Sequence, residues 1–281
     1  MIWSCLGVFV RKAEVGVPLI LLYSTGFSLI YQSVIFVRKD IRSAVPPFKK
    51  LPHIMLLALV LLLNTFTFLF AYQKTTFANA VLTHYIAPVL VAFMGWFFLK
   101  ERVSLSDIVA LVAAMTGLYI MFGGGGLVDC FRKLSWPPER IEPETLGVVS
   151  GLASGFFYAL LIVMVRVFVK RDNPYVLVFF QNLFITLYLV PFFKIVPTKT
   201  VLLLALMGLI HSTLAPYLYY YGLSGLPAHK AAVLGYLEPL GAIIFGMIFF
   251  NEIPHKQVYI GGALILLSGY LTIAKRNRDN G

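Results

Sequence analysis

Residues 80–102 read AVLTHYIAPVLVAFMGWFFLKER, and residues 231–253, at an offset of 151, read AAVLGYLEPLGAIIFGMIFFNEI with no gap in the alignment. Six of the 23 aligned positions are identical: Ala80/Ala231, Tyr85/Tyr236, Pro88/Pro239, Gly95/Gly246, Phe98/Phe249 and Glu101/Glu252. Each copy is an apolar helix interrupted by proline, loosened by glycine and closed by glutamate. An interrupted helix of this kind is tolerated in hydrocarbon only where neighbouring groups or cavity water satisfy the freed backbone. Its recurrence in corresponding positions of two halves marks an internal repeat, and in membrane proteins such a pair points to a binding site.

The composition agrees. Of 281 residues, 59% are hydrophobic and 12% charged, and the mean hydropathy is +0.86. A soluble domain is about 45–50% apolar and about 25% charged, so this is an integral membrane protein. The formal charge of +11 does not indicate nucleic acid, because the basic residues stand singly or in short clusters between apolar runs. Juxtamembrane Lys and Arg that fix orientation and meet anionic headgroups explain them, and the lipid bilayer is the expected partner. The two cysteines, Cys5 and Cys130, suggest no disulfide framework. No CxxC, HExxH or His/Cys cluster offers a metal site, and no cofactor is expected. Met1–Val10 is too brief for a span and lacks a small-residue cleavage site before Arg11-Lys12, which argues against a signal peptide.

Nine nearly charge-free runs define spans: Val15–Val37, Leu51–Gln73, Thr75–Leu99, Ile108–Val128, Thr145–Val165, Asn173–Phe193, Thr200–His229, Ala231–Phe250 and Gln257–Ala274. Each supplies most or all of the roughly 20 residues that a crossing helix needs, and none alternates like a barrel strand. The tenth span is Met1–Val10. Trp3–Arg11 aligns with Tyr158–Arg166 at an offset of 155, with four matches. In that second copy the helix begins upstream, near Leu146–Gly155. The first helix therefore reads as shortened by about ten residues, through a start set downstream or a genuinely short helix. The fold expected is all-α and polytopic, with about ten transmembrane helices in two inverted five-helix repeats. The first repeat covers 1–122, a connection 123–144, and the second repeat with a short basic tail 145–281. With both termini cytoplasmic, 14 of the 23 Lys and Arg fall inside, including the clusters at 38–50 and 275–278, as the positive-inside rule requires. The four-glycine run at 123–126 lacks the Lys-Ser/Thr of a phosphate-binding loop.

Glu238 is the sharpest chemical signal. It lies about seven residues into the ninth run, roughly 10 Å deep, where an ionisable group faces a cavity or a partner. It reads as a contact for a substrate amine or a protonatable coupling site, or as a structural carboxylate tying two helices; its counterpart in the first half is Ala87. Pro88 and Pro239 deprive the carbonyls of His84 and Gly235 of their helix partners, which makes them helix-break residues on a substrate path or packing kinks. Asn64, Thr65, Thr83, His84, Gln181, Asn182, His211, Ser212 and Thr213 are further polar groups at membrane depth. A lone histidine there is most often an interhelical hydrogen-bonder, but His84, His211 and Glu238 together raise a proton relay. Gln181-Asn182 reads equally as an interhelical clasp. Tyr158 and Tyr236 are deep enough to meet a substrate, whereas Tyr217–Tyr221 read as an interfacial anchor. The glycines read as packing residues, and Glu101 and Glu252 as helix-end carboxylates in a solvated cap or a salt bridge.

The segments 71–122 and 220–271 resemble the two tandem EamA-like repeats of the drug/metabolite transporter superfamily. The resemblance covers essentially the whole chain and rests on the proline–glycine–glutamate pattern followed by a glycine-bearing final helix. It implies ten helices in inverted repeats around a central cavity, and alternating access in a bacterial cytoplasmic (inner) membrane. Glu238-Pro239 matches the carboxylate–proline pair of the second repeat, and Ile86-Ala87-Pro88 its uncharged version in the first. Many relatives carry an arginine in the second helix; this chain has Tyr23-Ser24-Thr25-Gly26, which weakens the case for an anionic substrate. The expected activity is secondary active export of a small polar or zwitterionic metabolite, an amino acid or related compound, with protons as a coupling ion. The competing expectations are an amphiphile or drug exporter of the same fold and a non-transporting or truncated membrane paralogue or subunit. The loops offer no catalytic set for a membrane enzyme.

Overall fold

The computed structural model describes residues 2–75, 77–121, 143–251, 253 and 255–279. The connection expected at 123–144 lies outside them except for its last two residues, which already begin a helix, and so do Cys130 and Glu252. Of the described residues 86% are helical, and none lies in a strand. In order, the helices of eight residues or more are α1 Leu6–Ala13, α2 Val17–Ser33, α3 Leu51–Lys74, α4 Phe77–His84, α5 Ala87–Leu99, α6 Leu105–Met121, α7 Pro143–Phe168, α8 Pro174–Leu189, α9 Thr198–Leu209, α10 Ala215–Ser224, α11 Ala228–Gly235, α12 Leu237–Phe250 and α13 Lys256–Asp279. A π-turn, Ile210–Leu214, joins α9 to α10. Taking α4–α5, α9–α10 and α11–α12 as single interrupted helices gives the ten-helix, two-repeat layout. Among the described residues seven stretches are long and apolar enough to cross a membrane, and Leu105–Met121 is a shorter apolar helix.

Two boundaries differ from the sequence reading. The eighth run does not reach His229: α10 stops at Ser224, and Pro227 opens α11 with a φ of −56°. His229 and Lys230 thus sit inside the ninth membrane helix rather than between helices, because Gly225 and Pro227 punctuate more strongly than the lysine does. Glu238 is correspondingly deeper, about 15 Å from the start of α11 at 1.5 Å per residue.

Both copies of the repeated stretch break where the proline dictates. Pro88 falls in the first turn of α5, where its missing N–H costs no helix bond. Tyr85 and Ile86 form the break: the Val89 amide bonds the Ile86 carbonyl at 3.0 Å, leaving the Tyr85 carbonyl without an α-helical donor. That carbonyl accepts a 2.8 Å hydrogen bond from the Tyr236 hydroxyl. Tyr236 is itself the break residue between α11 and α12, and is fully buried. The two rings stand 5.5 Å apart. The identical tyrosines of the two copies therefore meet, and one repairs the break of the other. Both copies also end alike, on a left-handed residue: Lys100 with φ 55° and Asn251 with φ 53°.

By contacts the chain forms two compact units, each drawing on both halves of the sequence. The first comprises Met1–Leu59, Met164–Leu226 and Gly241–Glu252. In it α2 packs between α8 and α9, with Gly208 seated so close to α2 that a Cβ would stand 2.5 Å from the Ser24 carbonyl oxygen. The second comprises Val60–Val163, Pro227–Leu240 and Ile253–Gly281. Its most extensive contact joins α6 to α13. A Cβ on Gly117 would lie 2.5 Å from the Gly261 carbonyl oxygen, and one on Gly155 would lie 2.7 Å from that of His84. In lipid, helices gain little from burying apolar area, so close backbone approach through small residues holds them together. On α5 the buried face is Ala87, Pro88, Val91 and Gly95, a narrow stripe of small and branched residues. Phe93, Trp96 and Phe97 are each more than half exposed, as lipid-facing residues are.

Three substitutions test this packing, each read by thermal unfolding of the detergent-purified protein. Tyr236→Phe keeps the ring but leaves the Tyr85 carbonyl unsatisfied, at a cost of about 1–3 kcal/mol, and lowers the midpoint by a few degrees. Gly155→Ala, forced against the His84 carbonyl, costs about 1–3 kcal/mol. Gly26→Ala meets nothing within 4 Å, and is neutral or stabilising by up to about 1 kcal/mol.

Candidate functional site

The polar residues singled out from the sequence fall into two groups, one in each unit. In the second unit they gather at the α4–α5 break. His84, the last residue of α4, places Nδ1 2.6 Å from Ser154 Oγ on α7. Asn64 on α3 donates from Nδ2 to the Ser154 carbonyl at 2.9 Å and lies 3.3 Å from its hydroxyl. The imidazole is stacked on Tyr158 at 5.0 Å and tilted against Phe68 at 4.3 Å. Three helices are thus knotted through one buried serine, with His84 fixed between an aromatic on α3 and one on α7. Tyr158 remains half-buried. Next in the chain, the Tyr85 ring contacts His84 edge-on at 5.3 Å, and its hydroxyl hydrogen-bonds Glu238.

Glu238 is the second residue of α12, immediately after the break at Tyr236. It stands in the first turn of a half-helix, where unpaired N–H groups and the helix dipole favour negative charge. This is the geometry in which discontinuous membrane helices hold charged groups, and it explains how a half-buried carboxylate is tolerated at this depth. Pro239 is buried beside it. Ala87, the counterpart of Glu238, is fully buried at the start of α5. Thr83 contributes nothing outward: its hydroxyl bonds the Asn79 carbonyl of its own helix at 2.6 Å, and its side faces Gly151. A cavity of about 280 Å³ adjoins Tyr85, lined by Leu82, Met115, Thr116, Leu118 and Tyr119.

Gln181, Asn182 and His211 belong to the first unit, around the π-turn. A π-turn leaves carbonyls unsatisfied, and here that of Ser212 gathers three donors: Asn182 Nδ2 at 2.6 Å, Ser28 Oγ at 3.0 Å and Gln32 Nε2 at 3.2 Å. Asn182 also bonds Ser28 Oγ at 2.9 Å, and Gln181 accepts from the buried Tyr220 hydroxyl. Gln181-Asn182 is therefore an interhelical clasp. Tyr220 is part of it and not an interfacial anchor, whereas Tyr221 is 65% exposed. His211 Nε2 stands 3.4 Å from Cys5 Sγ, and the His211 carbonyl accepts from the Trp3 indole at 3.3 Å. His84 and Glu238 share a unit, and His211 lies in the other.

Sequence reasoning missed Ser154, Ser28 and Gln32, all buried. Ser154 stands between Gly151 and Gly155, four residues before Tyr158, and reads as one more small packing residue. Its position on the Tyr158 face was the available signal. Ser28 and Gln32 are likewise four apart on α2, and join directly at 2.7 Å.

The comparisons with known proteins concur. The model of the EamA-like transporter family matches residues 1–123 and 145–274. An "Uncharacterized transporter" of Archaeoglobus fulgidus is 28% identical over 211 residues, covering 75% of this chain and 72% of that protein. The human "Solute carrier family 35 member G1" is 25% identical over 227 residues, 74% of this chain and 58% of that protein. A protein of known crystal structure superposes with a TM-score of 0.75 at 17% identity, over 100% of this chain and 95% of that one, a likeness of fold. The chain belongs to the EamA-like transporter family.

Proposed function

We propose that this membrane transporter is a secondary active exporter of a small polar or zwitterionic metabolite, an amino acid or related compound, working by alternating access. In this reading the stretches 1–122 and 145–281 are inverted repeats, both termini lie in the cytoplasm, and the membrane is the bacterial cytoplasmic membrane. The observation that carries the reading is the position of Glu238. It is a carboxylate at the head of a half-helix, hydrogen-bonded to Tyr85 and preceded by Tyr236. Such a group binds either an amine or a proton, and exclusive occupancy by one or the other couples their movements. Tyr85 and Tyr236 shape the contact around it. His84, Asn64 and Tyr158 supply an adjoining polar and aromatic wall, while Pro88 and Pro239 give the two broken helices their freedom to rearrange. A second reading, export of an amphiphile, draws on the apolar lining that Leu82, Met115 and Leu118 give the cavity beside Tyr85.

Efflux from proteoliposomes, measured with a panel of radiolabelled amino acids and with a hydrophobic organic cation, separates the two. Transport of an amino acid that responds to an imposed pH gradient is the expected result; movement of the organic cation alone favours the second reading. Glu238→Gln removes one charged contact, worth about 1.5–3 kcal/mol, and lowers amino-acid flux by about tenfold to a hundredfold. It also abolishes the response to pH while leaving the protein folded. Flux whose pH dependence survives Glu238→Gln removes that residue from coupling.

A further inference from the structure

The turn joining α5 to α6 begins at left-handed Lys100, whose amide and that of Glu101 both bond the Gly95 carbonyl. This reversal folds Glu101 back against α11. Its Oε2 accepts a 2.9 Å hydrogen bond from the amide of Ala228, the first residue of α11. A carboxylate of the first half therefore caps a helix of the second; of the cap and salt bridge expected from the sequence, it takes part in both, away from solvent. The next residue, His229, is 3% exposed and stands between two carboxylates. Nδ1 is 3.5 Å from Glu101 Oε2, and Nε2 is 3.5 Å from Asp107 Oδ2 at the start of α6. Asp107 is held in place by the Ser104 amide at 2.9 Å and the Ser104 hydroxyl at 2.6 Å. Neither ring nitrogen of His229 has a hydrogen-bond partner.

A neutral imidazole has one N–H and one lone pair. Between two carboxylates, one of its faces must then set a lone pair against a negative oxygen; only the imidazolium suits both. The surrounding charges agree. Lys230 follows on α11, is buried, and acts electrostatically on Asp107. A proton on His229 adds positive charge where the Glu101 and Asp107 carboxylates converge. Lys100 and Arg102 on the turn are exposed. On α13, which also packs on α11, Lys256, Tyr259 and Tyr270 are exposed; the side chains of 273–279 lie outside the described residues.

We propose that the Glu101–His229–Asp107 cluster is a proton-binding latch: a proton on His229 ties the first turn of α11 to the α5–α6 turn, and its loss lets them part. The site is separate from Glu238, nine residues further along the same interrupted helix. Acidification supplies the proton and closes the latch; a rise in pH removes it and opens the latch.

Hydrogen–deuterium exchange of the full chain in lipid nanodiscs tests this without a transport substrate. Exchange of amides 229–233 is followed at about pH 5.5 and about pH 8.5, each normalised to the amides of α8. The first turn of α11 is expected to exchange about tenfold or more faster at the higher pH. His229→Gln is expected to exchange fast at both. Glu101→Gln, which keeps a side chain to meet the Ala228 amide, gives a smaller pH response and serves should His229→Gln not fold. Equal protection of the wild type at both pH values overturns the latch. So does a pH response that survives His229→Gln or Glu101→Gln undiminished, or one that vanishes in Glu238→Gln while persisting in His229→Gln.

Discussion

A carbonyl released from its helix inside hydrocarbon must find a donor, and at Tyr85 the donor is the hydroxyl of Tyr236. Much of the second unit is arranged around that bond. It fixes where the α4–α5 break can lie, since the break must meet a tyrosine of the other repeat. It thereby sets His84 at the end of one half-helix, within reach of Ser154. It also turns the Tyr236 side chain inward, so that Glu238 follows in the first turn of α12. The helix end that tolerates a carboxylate and the kink that creates the helix end have one origin, the proline in the first turn of each second half-helix.

How much was legible depended on whether a feature is written in one segment or in several. The ten helices were legible because apolar length is local, and the breaks because Pro88 and Pro239 act on their own helices. Glu238, His84, Asn64 and Tyr158 stood out as polar groups at membrane depth, and they share a unit. What joins them, Ser154, did not stand out: a serine between glycines on α7 acquires meaning only from α3 and α4. The π-turn was invisible for a similar reason, since Ser28, Gln32 and Asn182 reveal a frayed carbonyl only once α2 and α8 lie beside it. Lys230 misled, because a lysine inside a membrane helix reads as a loop until a carboxylate from another segment, Asp107, is placed near it.

The halves are alike in backbone and unlike in chemistry. Tyr85 and Tyr236, Pro88 and Pro239, and the left-handed Lys100 and Asn251 repeat as architecture. Ala87 against Glu238, and His84 against Gly235, do not. In one half the space beside the break is filled by an imidazole knotted to a serine; in the other it is left to glycine and a carboxylate. Duplication supplied two equivalent breaks, and side-chain substitution made one a scaffold position and the other a charged one.

The packing of Gly117 against Gly261 bears on how the chain is made. These residues are 144 apart in sequence, and ribosomes add about 5–20 residues per second. The first repeat's final helix therefore waits about seven to thirty seconds in the bilayer, its glycine face covered by lipid, before α13 emerges to take its place. During that interval a notch open to another helix is exposed. Membrane insertion of this protein is thus a race between its own last segment and whatever small-residue helix diffuses past, and an insertion factor that shields α6 would decide the yield.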